Sequence, residues 1–312
     1  MHDRKILITP RSFGKKDDSV FKRLEEAGFA PVRNTSGRIF TKDEMIEAIA
    51  DCEGLIVGVD PVDRDVLAAA PKLRAIAKYG TGVDNIDLEE AARRGIPVSR
   101  TIGANSDAVA DYTFALILAL ARKVPLIDRQ CRQNRWEKII TTDVTGATLG
   151  ILGFGEIGRR LAKRAAGFEM QMLVYDPFWK PEWETQYPIR RSTPEEIFSQ
   201  ADFISLHMPL LPETRHFVDA AMLSRMKSTA YLINAARGEL VEEAALLDAL
   251  KNGRIAGAGV DAFAQEPPEN PLWFTLDNVI LGSHCAASTL GAAQNMGRIA
   301  TENLLRDLQK SV

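Results

Sequence analysis

The chain has 312 residues, of which 46% are hydrophobic and 26% are charged, and its formal net charge is −3 at pH 7. This length predicts two domains, each large enough to bury its own core. The balanced charge argues against a protein that binds nucleic acid or an anionic membrane surface, because both need a basic patch. The longest apolar stretch in a helical context, residues 113–121, is too short to span a bilayer.

The start of the chain and the cysteines both predict a cytoplasmic protein. The first residues carry charges but no long apolar segment, so we expect no secretory signal. The three cysteines are scattered and odd in number, which predicts reduced thiols: Cys52, Cys131 and Cys285. Cysteine and histidine nowhere have metal-ligand spacing, so no metal site is predicted.

Residues 1–100 alternate between strand and helix signals. Apolar runs predict strands near 5–9, 29–32, 54–57, 73–77 and 96–99, with helices between them. One helix is expected to begin after Thr41, because Glu44 three residues on completes a capping box. The alternation predicts an α/β fold with a mostly parallel, doubly wound sheet.

The loop 78–85 leaves the C-terminal end of one of these strands, where ligands bind in open α/β sheets. Two glycines in this loop would let backbone N–H groups form an anion-binding nest, and a plain turn is the alternative. The candidate substrate-binding residues of the loop are Lys78, Tyr79, Gly80, Thr81, Gly82 and Val83.

The middle of the chain predicts a long helix and then a surface segment. Residues 105–123 keep their apolar positions at helical spacing. Residues 127–138 are charged and include Trp136, which predicts either an oligomer arm or a solvated helix.

Residues 148–176 carry the G-x-G-x-x-G spacing of a dinucleotide-binding turn, at Gly153, Gly155 and Gly158. An apolar strand precedes the glycines, a helical pattern follows, and a second strand ends at Asp176. The glycines allow a tight turn, close approach of a pyrophosphate and close packing of helix on strand. Asp176 is placed to bind a ribose 2′-OH, and no Arg or Lys adjoins it in sequence, which favours NAD over NADP.

Polar residues follow four later strands of the predicted sheet: His207, Arg237, Asp261 and His284. The carboxyl ends of parallel strands meet at one edge of a sheet, the edge at which the glycine turn would hold a cofactor. The sequence therefore predicts an active site at this edge.

A hydride transfer to or from a nicotinamide also needs a group that gives or takes a proton. His284 is the best candidate, with Glu266 on a proline-containing loop as the carboxylate that orients it. Arg237 would bind a substrate carboxylate and polarise the adjacent carbonyl. Each residue alone has a structural alternative, such as a surface ion pair or a solvated turn. His207 is expected to line the cofactor pocket or to cap its strand, and Cys285 to be a packing residue.

Six segments resemble the D-isomer-specific 2-hydroxyacid dehydrogenases, and within that family the phosphoglycerate dehydrogenase branch. The segments are KYGTGVDNID (78–87), LGILGFGEIGRRLA (149–162), SLHMPLLPETRH (205–216), INAARGELVEEAALLDAL (233–250), GAGVDAFAQEPP (257–268) and GSHCAAST (282–289). The resemblance implies a Rossmann NAD-binding domain, residues 101–286, inserted into a flavodoxin-like substrate domain, residues 1–100 with 287–312. It also implies a homodimer.

The resemblance also implies roles for individual residues. Arg237, Glu266 and His284 would form the catalytic trio, the backbone of Gly80 to Val83 would take the substrate carboxylate, and Asp261 would hold the nicotinamide amide. The remaining residues implied along the NAD cofactor are Gly153, Gly155, Glu156, Ile157, Gly158, Asp176, His207, Pro209, Thr214, Asn234, Ala235, Ala236 and Thr113.

The chain departs from the family pattern at several positions. Asp111 and Tyr112 stand where the family often has Glu and then His or Leu. Phosphoglycerate enzymes tend to carry an arginine after the third strand, whereas residues 56–60 here have no cation, although Lys78 and Arg11 could partly replace it. The resemblance thus implies a D-2-hydroxy or 2-keto acid as the substrate, and these departures leave 3-phosphoglycerate, hydroxypyruvate, glyoxylate or another short 2-keto acid as candidates.

Two other activities occur on this scaffold. An NADH-sensing binding protein that resembles the transcriptional corepressors is the alternative of a different class, although this chain lacks the extensions that such proteins usually add. Formate dehydrogenases have Gln where this chain has Glu266, which argues against formate as the substrate.

Overall fold

The computed structural model describes residues 4–310. Up to residue 105 its elements are β1 (Lys5–Ile8), α1 (Ser19–Glu26), β2 (Ala30–Arg33), α2 (Lys42–Ile49), β3 (Cys52–Val57), α3 (Arg64–Ala68), β4 (Ala75–Lys78), α4 (Leu88–Arg93) and β5 (Val98–Arg100).

The elements that follow are α5 (Ser106–Ala121), α6 (Val124–Arg132), β6 (Thr148–Leu152), α7 (Glu156–Ala166), β7 (Gln171–Tyr175), α8 (Trp183–Gln186), β8 (Ile189–Arg191), α9 (Pro194–Gln200), β9 (Phe203–Leu206), α10 (Ala220–Arg225), β10 (Tyr231–Asn234), α11 (Glu243–Lys251), β11 (Gly257–Val260), β12 (Val279–Leu281) and α12 (Leu290–Lys310). The chain divides into two compact units, Met1–Asn105 with Ser288–Val312, and Ser106–Ala287. The second unit is thus inserted into the first.

The first unit is built on a five-stranded parallel sheet with the order β2-β1-β3-β4-β5. This is the flavodoxin-like order, which confirms the predicted doubly wound sheet. Every residue of β4 is buried, as expected of a strand covered on both faces. The last helix, α12, packs on β3, β4 and β5, where the Leu304 side chain is fully buried.

The second unit is built on a seven-stranded parallel sheet with the order β12-β11-β10-β9-β6-β7-β8. The strand order reverses between β6 and β9, and a ligand crevice lies at such a switch point. One hydrophobic core packs α5 and α7 against the sheet, and a second core includes side chains of α9, α10 and α11. This arrangement confirms the predicted Rossmann-type fold.

Several helix starts follow directly from local side-chain chemistry. The Thr41 hydroxyl accepts the Glu44 N–H, and the Glu44 carboxylate accepts the Thr41 N–H at 2.8 Å, so the predicted capping box is confirmed. Thr193 likewise accepts the Glu196 N–H at 3.2 Å, with Pro194 as the first helical residue. The first of these helices therefore begins where the sequence predicts, and the second begins with the same N-cap chemistry.

Three elements were not predicted: α8, β8 and α10. The strand β8 has only three residues, of which two are arginines, and it pairs in parallel with β7 at the edge of the sheet. The helix α6 lies partly within the predicted surface segment and buries none of its residues. No helix in the described part of the chain is long and apolar enough to cross a membrane.

Candidate active site

Three glycines shape the connection from β6 to α7. Gly153 has a φ of +95°, and a Cβ there would lie 2.7 Å from the backbone of His207. A Cβ on Gly158 would overlap the Gly153 carbonyl oxygen, so the helix packs directly on the turn. A Cβ on Gly155, the N-cap of α7, would meet open space. Two glycines therefore serve packing, and the third leaves the helix N-terminus accessible to a pyrophosphate.

The next two residues of α7 were also predicted to lie along the cofactor. The Glu156 carboxylate forms ion pairs with Arg159 and Arg160, and the Arg160 hydrogen bond keeps the pKa of Glu156 below its usual value. Ile157 packs against the core of α5 and α7. In the described chain both side chains are therefore engaged within the unit.

Asp176 stands directly after β7, beside the glycine turn. Its Oδ2 accepts the Phe154 N–H at 2.7 Å, and its Oδ1 accepts the Phe178 N–H at 2.8 Å. Each carboxylate oxygen keeps a further lone pair for a ligand. The side chain is thus fixed in the place expected of a ribose ligand in this fold.

Two buried polar atoms of predicted cofactor residues have no hydrogen-bond partner within residues 4–310, Thr113 Oγ1 and His207 Nδ1. The other ring nitrogen of His207 lies 2.8 Å from the Ser205 hydroxyl, and burial lowers the pKa of His207 to about 4. A buried polar group without a partner costs about 1–3 kcal/mol, so a bound polar ligand would relieve a real cost. Together with the glycine turn, these atoms fit a dinucleotide cofactor.

The order of the sheet places the four predicted polar residues side by side. His207, Arg237, Asp261 and His284 follow β9, β10, β11 and β12, which are neighbours in the second sheet and all run parallel. Their positions confirm that these strand ends share one edge of the sheet, the edge at which the glycine turn also lies.

His284 and Glu266 contact each other directly. The Nδ1 atom of His284 lies 2.9 Å from both carboxylate oxygens of Glu266, and Glu266 Oε1 also accepts the Phe263 N–H at 3.1 Å. Burial would raise the pKa of Glu266, but the His284 hydrogen bond and the charges of His284 and Arg237 outweigh it and lower the pKa. Glu266 is therefore a carboxylate at neutral pH, able to orient the imidazole and balance its charge.

Arg237 lies in a tight turn after β10. The Asn234 amide donates to the Arg237 carbonyl at 2.8 Å and accepts the Ala236 N–H at 3.1 Å. A Cβ on Gly238 would overlap the backbone of Phe263 and Ala264, so this turn packs against the loop that carries Glu266. Asn234, Ala235 and Ala236, predicted to lie along the cofactor, thus also form the turn that positions Arg237.

Asp261 holds the backbone on both sides of His284. Its carbonyl accepts the His284 N–H at 2.8 Å, and its carboxylate accepts the N–H groups of Cys285 at 3.0 Å and Ala286 at 2.8 Å. A Cβ on Gly282 would lie 2.6 Å from the Tyr112 hydroxyl and would overlap Asp261 Oδ1. His284 itself has a φ of +55°, a conformation that needs such support.

Two further residues predicted along the cofactor, Pro209 and Thr214, stabilise the loop after β9. The Thr214 hydroxyl donates to the Pro209 carbonyl at 2.7 Å and accepts the Leu211 N–H at 2.8 Å. Their contact with a cofactor stays a prediction.

The loop 78–85 belongs to the first unit. The Gly80 N–H donates to the Thr101 hydroxyl at 2.9 Å, and Lys78 Nζ donates to the Gly58 carbonyl and to Asn85 Oδ1. The Tyr79 ring is buried, and its hydroxyl donates to the Ala293 carbonyl at 3.0 Å. Side chains 78 and 79 and the Gly80 N–H are therefore used within the unit.

Sequence patterns missed three contributors to this region. Tyr112 and Gly282 meet at Asp261, although they lie far apart in sequence, and no local pattern signals such a contact. Arg191 lines a cavity of about 370 Å³ together with Asp176. Its sequence neighbourhood predicts only a helix start, since Thr193, two residues later, is the N-cap of α9.

Comparison with known proteins places this geometry in context. The family model described as "D-isomer specific 2-hydroxyacid dehydrogenase, NAD binding domain" matches residues 114–286. A glyoxylate reductase of Korarchaeum cryptofilum is 40% identical over 302 residues, which cover 92% of this chain and 91% of that protein. Human D-3-phosphoglycerate dehydrogenase is 39% identical over 297 residues, which cover 94% of this chain and 54% of that protein. A solved structure of a protein from Thermus thermophilus superposes with a TM-score of 0.89 at 35% identity, covering 98% of this chain and 97% of that one.

Proposed function

Because the chain belongs to the D-isomer-specific 2-hydroxyacid dehydrogenase family, we propose that Arg237, Glu266 and His284 carry its reaction. The chain is an NAD-dependent oxidoreductase of 2-hydroxy acids. One observation carries the assignment of the residues, the 2.9 Å contact between His284 Nδ1 and the Glu266 carboxylate at the strand-end edge.

The proton step follows from this contact. Since Glu266 occupies Nδ1, Nε2 is the ring nitrogen left to exchange a proton with the substrate. In the reducing direction His284 gives that proton to the carbonyl oxygen of the 2-keto acid. Glu266 fixes the ring orientation and stabilises the imidazolium form, as the carboxylate does in other His–carboxylate pairs.

The cofactor supplies or accepts the hydride when it is bound. We propose that the glycine turn takes its pyrophosphate, that Asp176 binds a ribose hydroxyl, and that Thr113 and His207 supply the polar contacts that they lack within the described residues. Asp261 keeps its predicted contact with the nicotinamide amide as part of this proposal, besides holding the His284 segment.

Arg237 is proposed to bind the substrate carboxylate and to polarise the carbonyl, because a guanidinium offers two parallel donors to such a group. In the first unit, the backbone N–H groups of Thr81, Gly82 and Val83 are the proposed carboxylate donors of the loop. The Gly80 N–H is excluded from this set because it donates to Thr101.

A short, unphosphorylated 2-keto acid such as glyoxylate or hydroxypyruvate is the proposed substrate. Residues 56–60 offer no cation for a phosphate, and Asp60 is buried, with its carboxylate accepting the Thr9 hydroxyl and the Phe40 N–H. Of the two predicted replacements, Lys78 is buried and donates to the Gly58 carbonyl and Asn85, and Arg11 donates to the Gly37 carbonyl at 3.4 Å. Glyoxylate reductases are also among the relatives that match over most of their own length.

A steady-state assay with NADH tests this proposal against glyoxylate, hydroxypyruvate, pyruvate and phosphohydroxypyruvate. We expect kcat/KM for glyoxylate or hydroxypyruvate to exceed that for phosphohydroxypyruvate by about tenfold or more, because an unpaired phosphate would lose its water without gaining a partner. A preference for the phosphorylated acid would reject the substrate and leave the catalytic residues standing. His284→Ala should lower kcat by about 10²- to 10⁴-fold, and retained turnover in a folded variant would reject the role of His284.

We also propose that the protein is a cytoplasmic homodimer. The segment after α5 supports a dimer, because Trp136 and Ile140 leave 89% and 94% of their surfaces exposed. The free thiols of Cys52, Cys131 and Cys285 support a reducing compartment. Light scattering coupled to size exclusion should give a mass of twice 34.4 kDa, and a monomer at micromolar concentration would contradict the dimer.

A further inference from the structure

A cavity of about 370 Å³ opens at the C-terminal ends of β7 and β8, within the second unit. Small-molecule sites fall in the range of about 300–1,000 Å³, so its size suits part of a ligand. Its lining includes Tyr175, Asp176, Arg191, Ser192, Thr193 and Glu196. The cavity thus extends from the proposed ribose ligand, Asp176, to a strand that local sequence patterns did not predict.

The register of the two strands explains why Asp176 and Arg191 reach the same space. Val174 of β7 pairs with Arg191 of β8, and Asp176 follows Val174 by two residues. Residues that are paired across strands, or two apart along one strand, project on the same side of a sheet. Arg190 alternates with Arg191 along β8, and its guanidinium forms an ion pair with the lining residue Glu196 at 2.7 Å.

The charges of the cavity are unevenly matched. The Glu196 carboxylate is balanced by Arg190, and the Asp176 carboxylate accepts two backbone N–H groups. The Arg191 guanidinium lies 5.6 Å from the centre of the Trp179 ring, and within residues 4–310 it takes part in no ion pair. A cation held against an aromatic ring, at the edge of a cofactor cavity, is suited to a doubly charged phosphate.

We propose that Arg191 is a specificity-determining residue that binds the 2′-phosphate of NADP(H), so that this chain accepts NADP(H) as well as NAD(H). The inference rests on the proposed function, because it assumes that Asp176 binds the adenosine ribose. In dinucleotide-binding folds an acid at this strand end binds the ribose 2′-OH, and a nearby Arg accommodates the 2′-phosphate. Here both groups line one cavity. Asp176 favours the 2′-OH of NAD, and Arg191 offers a positive charge to the 2′-phosphate of NADP, so both cofactors are accepted.

Calorimetric titration with two cofactor fragments tests the proposal without any catalysis. The probes are 5′-AMP and adenosine 2′,5′-bisphosphate, which differ only in the 2′-phosphate. In the unaltered protein the bisphosphate should bind at least as tightly as 5′-AMP. Arg191→Ala should lower the affinity for the bisphosphate relative to 5′-AMP by about 10- to 100-fold, the effect expected of a charge-assisted hydrogen-bond pair. Arg191→Lys should restore part of this ratio.

Two further variants complete the design. Arg254→Ala removes an arginine of the same unit that pairs with Asp248 and does not line the cavity, so it should leave the ratio of the two affinities unchanged. Asp176→Asn should raise the ratio in favour of the bisphosphate, because it removes a repelling carboxylate. An Arg191→Ala variant that weakens both fragments equally, or an unaltered protein that rejects the bisphosphate, would overturn the proposal.

The outcome separates this inference from the proposed reaction. If the two fragments bind as expected but the protein reduces no 2-keto acid, the catalytic proposal is rejected and the role of Arg191 stands. NADH-dependent turnover with no binding of the bisphosphate would do the opposite. With both intact, Arg191→Ala should raise KM for NADPH by about tenfold or more relative to KM for NADH.

Discussion

At the residue scale, His284 is fixed at both its backbone and its ring. The backbone on either side of it is bound by Asp261, whose carbonyl and carboxylate accept N–H groups of residues 284–286. The ring is bound by Glu266. A catalytic group must be held within about half an ångström of its productive position, and this double attachment supplies that restraint.

Glu266→Gln tests the electrostatic part of this attachment. The amide keeps the shape of the side chain and can still accept the Phe263 N–H, but it cannot balance a charged imidazole. We expect kcat to fall by about 10²-fold or more, with a melting temperature within a few degrees of the unaltered protein, since both side chains of the pair are about 40% exposed. Steady-state kinetics and thermal unfolding provide the two measurements.

The pH dependence supplies a control for this variant. The pKa of Glu266 is lowered in the folded protein, so its contribution to stability is present above the usual carboxyl pKa and is lost as the pH falls through the lowered value. Glu266 is therefore ionised at neutral and mildly acidic pH. Over that whole range kcat of the Glu266→Gln variant should stay below kcat of the unaltered protein. A variant with kcat within about fivefold of the unaltered protein would show that Glu266 is only structural.

His207 makes a different prediction, because burial lowers its pKa to about 4. The unfolded chain protonates this histidine at a higher pH, near 6.5, so the unfolded state binds more protons between these values and stability falls as the pH is lowered. Glutamine at position 207 cannot be protonated. Between pH 7 and pH 4.5 the His207→Gln variant should therefore lose about 2–3 kcal/mol less unfolding free energy than the unaltered protein. Urea unfolding at both pH values measures this difference.

The matched control is His216→Gln, which removes an exposed histidine from the loop after β9. A loss of pH dependence as large in this control as in the His207 variant would show that the effect does not come from burial of His207. An equal pH dependence in the unaltered protein and in the His207 variant would mean that His207 is accessible to protons in the folded state.

At the element scale, the turn from β6 to α7 predicts opposite consequences for two neighbouring glycines. Gly155→Ala places a methyl group in open space, so the unfolding free energy should change by less than about 1 kcal/mol, while affinity for NADH falls about tenfold or more. Gly158→Ala forces the helix away from the Gly153 carbonyl, so both stability and affinity should fall. Fluorescence titration with NADH and thermal unfolding separate the two quantities, and equal melting temperatures for the two variants would contradict this division.

The same elements show what local patterns can and cannot predict. The strands β9 and β11 end directly before His207 and Asp261, as the sequence predicts, because continuous apolar runs are needed for strands buried between helices. β8 has no such run, since its residues are Ile189, Arg190 and Arg191, and only pairing with β7 makes it a strand. Arg191 is far from Asp176 in sequence and comes close to it only through this pairing. The residues adjacent to Asp176 therefore do not predict the cavity that the two side chains line.

At the scale of the whole molecule, the strand order follows from connectivity. Right-handed β-α-β connections predict parallel sheets with a switch point, and both sheets have that form. The resemblance to the family predicted the return of the last helix to the first unit, and in the structure α12 packs on β3, β4 and β5. Contacts between distant positions, such as Tyr112 with Gly282, depend on packing and needed the structure. The domain boundaries near residues 101 and 286 stay a prediction about which parts fold alone.

That prediction can be tested on the inserted unit itself. Residues 106–287 contain all seven strands of the second sheet, both of its cores, the glycine turn and Asp176. Expressed alone, this segment should therefore unfold cooperatively and bind NADH within about tenfold of the affinity of the full chain. It should not reduce 2-keto acids, because it lacks the proposed carboxylate donors at residues 81–83. Circular dichroism melting and NADH fluorescence give the readouts, and Gly155→Ala in the same segment is the control for specific binding. A segment that neither melts cooperatively nor binds NADH would show that the second unit depends on the first for its fold.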